Sequence, residues 1–366
     1  MKRNIGIIGV IILIILCITN IIRNTETNKD QIVFGSILIQ TGEGASWGEA
    51  SLNGVDLAIQ DINQHGGLLG KQVKVIHEDD QGDPKKTVSA FRKLTEINGV
   101  DFIIGPTWSN VGLSIIDLID NEVVVSPSLG KAEFNESSDY VFNTWMHDYI
   151  LSENVAEYVY NKGYRKIVIL GANDVWVNEQ TSAVESKFRE LGGEISYQFE
   201  PTPDRIDMRT ELIKIRNMNA DAIVITSDGY DITSRYGRQL SELDIVLPVF
   251  GITFDENVLQ NCASACDGWV YLSGLTPLKD FELRYKDVYN RSIEVGADSA
   301  YDAVMMIAEA INETGSTEPE KIKDYLNDIR EYNGVSGRLV SDGKGGFTKG
   351  YKIFKVENGV STEISH

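Results

Sequence analysis

Histidine, cysteine and proline are scarce in this chain: four, three and eight among 366 residues. The histidines stand at 65, 77, 147 and 366 with no H-x-x-x-H and hence no H-E-x-x-H, so no histidine-based metal signature is present. No G-x-S-x-G elbow occurs. "GGLLGKQ" (66–72) fails as a P-loop, because its spacing is wrong and no Ser or Thr follows Lys71. "TGEGASWGE" (41–49) has glycines at 42, 44 and 48, one residue off G-x-G-x-x-G, and Trp47 would crowd a pyrophosphate. No stretch brings a nucleophile and a base together. The sequence therefore reads as a binding protein without cofactor or catalysis, with a nucleotide-dependent enzyme built on 42–48 as the distant rival. Positive charge is also short, 34 Lys and Arg against 54 Asp and Glu, a net −20. Such a surface repels phosphate backbones and argues against a nucleic acid partner.

The carboxylates of "HEDDQGD" (77–83) offer two readings, a cation site and, ahead of it, a solvated loop whose last member, Asp83, caps a helix starting at Pro84. The N-terminus differs in kind. Lys2 and Arg3 precede an apolar stretch running from Ile5 to Ile18, the layout of an export signal. Cys17 sits where a bacterial lipoprotein carries its acylated cysteine, although Leu16 precedes it where a small residue is usual. Residues 1–22 thus read as a signal or lipoprotein leader or an uncleaved membrane anchor, and the polar 23–31 as a linker. Export with tethering through the N-terminus is the expectation. Cys262 and Cys266 lie in "NCASACDG"; a disulfide and two buried thiols are equal readings.

At this length two domains are expected. From residue 32 the pattern is strand, turn, helix, repeated: "IVFGSILIQ", then "SLNGVDLAIQDINQHGG" with apolar residues at 52, 55, 58, 59 and 62, then "QVKVIHEDD". "VDFIIG" and "VVVSPS" are further strands, with a helix expected over "NVGLSIIDLIDNE" between them. The same order recurs from residue 166, through "KIVILG", "EISYQFE", "ADAIVITS" and "VLPVFG". This duplication of architecture predicts an α/β protein of two doubly wound, Rossmann-like parallel-sheet lobes. Ligands of such sheets lie beyond the carboxyl ends of the strands. Trp47, Trp108 and Trp176 fall in those loops, Trp145 in the crossover "FNTWMHD", and only Trp269 on a strand. Four indoles gathered there point to an apolar-walled cleft rather than to separate covers over helix ends.

Five phrases in order, "NGVDLAIQDINQHGGLLGKQVKVIHEDDQGDP", "FIIGPTWSN", "VSPS", "AYDAVMMIAEAI" and "YNGVSGRLVSDGKGGFTKGYKIFKV", span most of residues 32–356. The chain resembles the type I periplasmic solute-binding proteins of the branched-chain amino acid (leucine/isoleucine/valine) type, which serve ABC importers. The resemblance implies two lobes joined by a three-crossover hinge and closing on a small ligand. Lobe 1 would hold 32–147 plus 275–350, and lobe 2 would hold 148–274 plus 351–366. It implies ABC permease subunits as partners, or a separate signalling partner if the protein is the ligand-binding part of a sensory system.

It also implies site residues. Ser109, with Trp108 beside it, and Ser128-Leu129-Gly130 match the carboxylate-binding positions, with Gly130 where a threonine usually stands. Trp47 and Trp176 match aromatic walls from opposite lobes. The family's ammonium-binding acid is replaced by Thr253, with Asp255 two residues late, and another aromatic position by Asp228. Either Asp228 or Asp255 takes over, or the ligand is not a plain α-amino acid.

Overall fold

The computed structural model describes residues 31–42, 44–227 and 231–365. Cys17, the leader and Asp228 lie outside the described residues.

The first half alternates as its β-branched runs require. Its elements are β1 (Gln31–Leu38), α1 (Ala45–Gln64), β2 (Gln72–Asp79), α2 (Pro84–Arg92), β3 (Phe102–Ile104), α3 (Ser109–Gly112), β4 (Val123–Ser126), α4 (Ala132–Asn135) and β5 (Val141–Asn143). The five strands form one parallel sheet, ordered β2-β1-β3-β4-β5. Asp83 caps α2 by accepting from the amides of Lys85 and Lys86, with Pro84 at the first helical position.

The second half repeats the scheme with α5 (Asp148–Asn161), β6 (Lys166–Leu170), α6 (Val175–Glu190), β7 (Glu194–Phe199), α7 (Arg209–Leu212), β8 (Ala222–Ile225), α8 (Asp231–Glu242), β9 (Val249–Ile252), α9 (Glu256–Cys262) and β10 (Val270–Ser273). Its parallel strands run β10-β9-β8-β6-β7, the same order with the same reversal point as the first sheet. Three helices then return to the first lobe: α10 (Lys279–Tyr289), α11 (Ala297–Thr314) and α12 (Pro319–Asp328). They are followed by a small antiparallel sheet of β11 (Glu331–Gly334), β12 (Gly337–Ser341) and β13 (Phe347–Thr348). Finally β14 (Lys352–Glu357) and β15 (Val360–Ile364) add antiparallel to the edge of the second sheet, completing seven strands. The chain thus passes between lobes three times, after β5, after β10 and after β13.

Each sheet is buried on both faces, which explains the near-continuous apolar strands. In lobe 1, α1 and α11 cover Phe34, Phe102, Ile104 and Val125, while Phe91, Leu94 and Phe134 cover Ile37, Ile103 and Val124. In lobe 2, Leu151, Val155, Val184 and Phe188 cover Ile167, Ile169 and Val224 on one face, and Ile232, Tyr236 and Leu240 cover Val168, Ile223 and Ile225 on the other. Cys262 and Cys266 are joined in a disulfide beside Gly237 in this second core.

Two local expectations fail. The helix expected over "NVGLSIIDLIDNE" is a single α-turn, α3, followed by a 3-10 segment from Leu113 to Leu118. Ile115 is fully buried there while Leu113 and Ile116 pack at the margin of the core, so burial rather than periodicity sets the backbone. Trp269 lies just before β10 rather than on it, with its ring 5.5 Å from that of Phe254. Among the described residues no helix is long and apolar enough to cross a membrane.

Candidate functional site

The reversal points of both sheets open toward the space between the lobes, and the cleft is built there. Four indoles meet in it. Trp47 of lobe 1 and Trp176 of lobe 2 pack edge to face, ring centroids 5.9 Å apart at 82°. Trp145 and Val295 are buried with Trp47, and Trp108 and Trp176 pack against this group. Trp47 and Trp176 stand not in loops, as their sequence context implied, but in the first turns of α1 and α6. Gly44, left-handed at φ 85°, starts α1 well ahead of its apolar stripe, and Asp174 caps α6 through the amide of Trp176 at 2.9 Å. The glycines of 42–48 serve packing. A Cβ on Gly44 would enter the Trp108 ring, and one on Gly48 would strike the carbonyl of Ile39.

The cleft has two compartments. The inner one, about 20 Å³, is walled by Trp47, Trp145 and Trp176 and carries Ser128, Asp148, Gln180 and Thr253. The outer one, about 730 Å³, lies between Trp47 and Trp108 on one side and Ile206, Arg235, Asp255 and Asn257 on the other. Trp47 belongs to both.

Asp148, the first residue of α5, is the carboxyl group of the inner compartment, and sequence reasoning missed it. Its Oδ2 is buried without a hydrogen-bond partner, and the Trp176 indole N–H donates to the carboxyl. Burial foremost, and the nearby Glu179 carboxylate next, push its pKa up to about 8, against the opposing pull of Trp176 and Lys131. Its place explains Gly130. A Cβ there would lie 2.1 Å from Asp148 Oδ1, and the Asp148 amide donates to the Gly130 carbonyl at 3.0 Å. No larger residue fits at 130 while that carboxyl stays. Asp255, one of the two acids expected to take over, lines the outer compartment, and its Oδ1 caps α9 by accepting from the Val258 amide at 2.7 Å. Thr253 lines the inner compartment, with its Oγ1 donating to Ser273 Oγ at 3.4 Å.

The other expected positions divide. Ser128 reaches the inner compartment while its hydroxyl donates to the Thr107 carbonyl at 3.0 Å. Ser109 is buried at the start of α3 with no partner for its Oγ, as is the Thr107 hydroxyl. Trp108 lines the outer compartment. Leu129 is not a cleft side chain. It packs in the lobe 1 core, with Cδ1 closed against Gly112, and leaves only its backbone near the site. The amide of Leu129 is held by Ser126 Oγ at 3.0 Å, and that hydroxyl in turn donates to the Pro106 carbonyl at 2.6 Å.

Gln180 is a second residue that the sequence reading passed over. It is 1% exposed, one turn beyond Trp176 on the same face of α6, and its Oε1 lacks a partner. The Trp-x-x-x-Gln spacing was the available signal.

Beneath the pocket, Trp145 joins the three passages between lobes. It belongs to the first. Gly274 of the second lies against its ring, and Lys349 Nζ of the third sits 4.9 Å from the ring centroid. Lys349 is paired with the buried Asp298 at 3.4 Å. At the rim, Lys131 of lobe 1 and Glu179 of lobe 2 form an ion pair across the cleft at 3.0 Å. Among the described residues no group of three or more His, Cys, Asp or Glu side chains converges as a metal site would.

A family model described as periplasmic binding protein matches residues 31–360. The Leu/Ile/Val-binding protein BraC3 of Rhizobium johnstonii is 25% identical over 345 residues, covering 90% of this chain and 92% of that protein. The branched-chain amino acid substrate-binding protein LivJ of Streptococcus pneumoniae, solved with isoleucine, superposes with a TM-score of 0.82 at 25% identity, covering 90% of this chain and 97% of that one. A solute-binding protein of an ABC transporter from Rhodopseudomonas palustris, solved with 3,4-dihydroxybenzoic acid, gives 0.81 at 21% identity, covering 92% and 97%.

Proposed function

Since this chain belongs to the periplasmic binding protein family, we propose that its lobes close on a small polar or amphipathic solute, of amino acid or amide type, and deliver it to an ABC permease. One observation carries the ligand site. Trp47 Nε1, Thr107 Oγ1, Ser109 Oγ, Asp148 Oδ2 and Gln180 Oε1 are all buried at or beside the cleft without hydrogen-bond partners. Each such group costs about 1–3 kcal/mol, so a cluster of them between two lobes is sensible where a ligand completes the bonds. The names of the relatives support the solute class: BraC3 is a Leu/Ile/Val-binding protein, and LivJ was solved with isoleucine. In this chain Asp148 brings a carboxyl group to the inner compartment, which Thr253 also lines, and the lobe 1 hydroxyls take the opposite end of the solute.

The test is native mass spectrometry of freshly purified protein, followed by tryptophan fluorescence titration with the compound found. Binding is expected to shift the emission, and Trp176→Ala to weaken it by about tenfold or more, the loss of an aromatic wall being worth roughly 1.5 kcal/mol. A solute that binds tightly without perturbing any tryptophan sinks this site.

The family is exported. The Lys2–Arg3 leader further supports tethering of the protein to the membrane through its N-terminus. Removal of residues 1–30 should move the protein from the membrane to the soluble fraction, and an unchanged distribution rejects the tether.

A further inference from the structure

Resting on that reading of the cleft, the inner compartment specifies more than size. A glutamine is a residue of surfaces, and a leucine of nearly the same volume would fill the place of Gln180 at no polar cost. Yet Gln180 is 99% buried on the cleft face of α6, with an acceptor oxygen that no described residue meets. Among the described residues the one carboxyl group beside it in the compartment, Asp148, also has an unmet oxygen. The remaining walls are Trp47, Trp145 and Trp176, the apolar Leu151, Ile252 and Val295, and the hydroxyl residues Ser128 and Thr253, and the space of about 20 Å³ admits a group of very few atoms. No Lys or Arg among the described residues lines it. The chemistry that satisfies this set is small, planar and uncharged, with an N–H to give Gln180 and further hydrogen-bonding capacity for Asp148.

We propose that Gln180 sets the selectivity of the cleft: its Oε1 accepts from the N–H of a carboxamide- or urea-type group of the solute, which lies between the indoles and bonds to the Asp148 carboxyl as well. A hydrocarbon group of the same shape leaves both oxygens buried and unmet, which is the strongest basis for rejection that a binding site has. The outer compartment, which shares the Trp47 wall with the inner one, takes the rest of the solute.

The test uses three shape-matched probe pairs on the exported chain, by calorimetry: L-asparagine and L-leucine, benzamide and acetophenone, urea and acetone. In at least one pair the N–H member is expected to bind, at least tenfold more tightly than its partner. Gln180→Leu should cut that ratio tenfold or reverse it, and Gln180→Glu, which keeps an acceptor at the same place, should retain part of it. Circular dichroism melting shows that both variants fold. The proposal is overturned if the members lacking the amide N–H bind equally well, if Gln180→Leu leaves the ratio unchanged, or if none of the six probes binds. In the last case native mass spectrometry judges the solute cleft separately. A different co-purified small molecule leaves the cleft standing and removes only the role of Gln180.

Discussion

The two walls of the cleft come from lobes with the same strand order, yet they offer opposite chemistry. Lobe 1 lines the cleft with Trp47, whose N–H is unmet, at the start of α1, and holds the unmet hydroxyls of Thr107 and Ser109 buried on the segment after β3. Lobe 2 presents the oxygens of Asp148 and Gln180, carried on the first turn of α5 and the second turn of α6. On the proposed reading the lobe 1 groups serve as the donor wall and the lobe 2 oxygens as the acceptor wall, so that a solute would be read by its orientation as well as its size. A pair of identical walls would hold a symmetric ligand equally well either way round; these do not.

The acceptor wall depends most on one group, and Asp148→Ala is therefore the strongest way to break the contrast. Solute affinity should fall by about 100-fold, roughly the 3 kcal/mol of a strong buried hydrogen bond, while the unliganded protein keeps or gains stability because a desolvated carboxyl is gone. Paired calorimetry and melting curves check this, and a loss below threefold would show that Asp148 merely fills space. Its ionisation supplies the next effect. The folded pKa lies near 8 and the unfolded value near 3.8, so between those limits the unfolded chain gives up a proton that the native chain keeps. The stabilising contribution is complete below about pH 4 and drains away as pH rises toward 8. Asp302, raised to about 6 by burial, adds to the lower part of the window only. Between pH 6 and 8, with Glu179 and Lys131 facing the same carboxyl, the native protein should lose up to roughly 1.4 kcal/mol per pH unit more than Asp148→Asn does. Equal slopes for the two proteins would mean that Asp148 titrates as an ordinary surface acid.

The walls also differ in how legible they are in the sequence alone. The alternation of β-branched strands with helices announces both sheets, since parallel strands must be apolar on both faces. Ser109, Ser128 and Trp108 follow strand ends, where cleft residues of such folds belong, and two of the three side chains line the compartments while Ser109 is buried beside them. Leu129 sits in the same loop yet turns into the core, because a loop segment has no fixed period to say which way a side chain points. Asp148 is invisible in the sequence for another reason. An acid on the first turn of a helix is ordinary dipole chemistry, and only the fold brings Gly130 against it and shuts out water. The spacing of Gln180 to Trp176 carries a signal, but it becomes readable only once α6 is seen to turn that face inward. Gly130 and Thr253 are the positions at which the resemblance implies a departure from the family pattern. What the letters do not show is that Gly130 and Asp148 are two halves of one packing arrangement.

On the donor wall no single group stands alone, so its members should cost less. Ser109→Ala is expected to weaken solute binding by about tenfold, the worth of one neutral hydrogen bond near 1.4 kcal/mol, without altering the pH profile set by Asp148. A change in that profile would show the two walls to be coupled through the protein rather than through the solute.

The smallest effect lies at the rim, where Lys131 and Glu179 join the walls directly. Both side chains are 21% exposed, so water and salt screen the pair and its worth is about 0.2–1 kcal/mol. Lys131→Met should weaken binding by less than about fivefold at low ionic strength, and the difference should vanish in 1 M salt, where the Debye length is near 3 Å. On the proposed reading the rim pair favours closure whatever lies inside, whereas Asp148, Gln180 and Ser109 are the groups that would recognise the solute. A large, salt-independent loss in Lys131→Met would reverse that division, moving recognition to the rim. It would also leave the donor and acceptor walls as lining rather than as the reading surfaces.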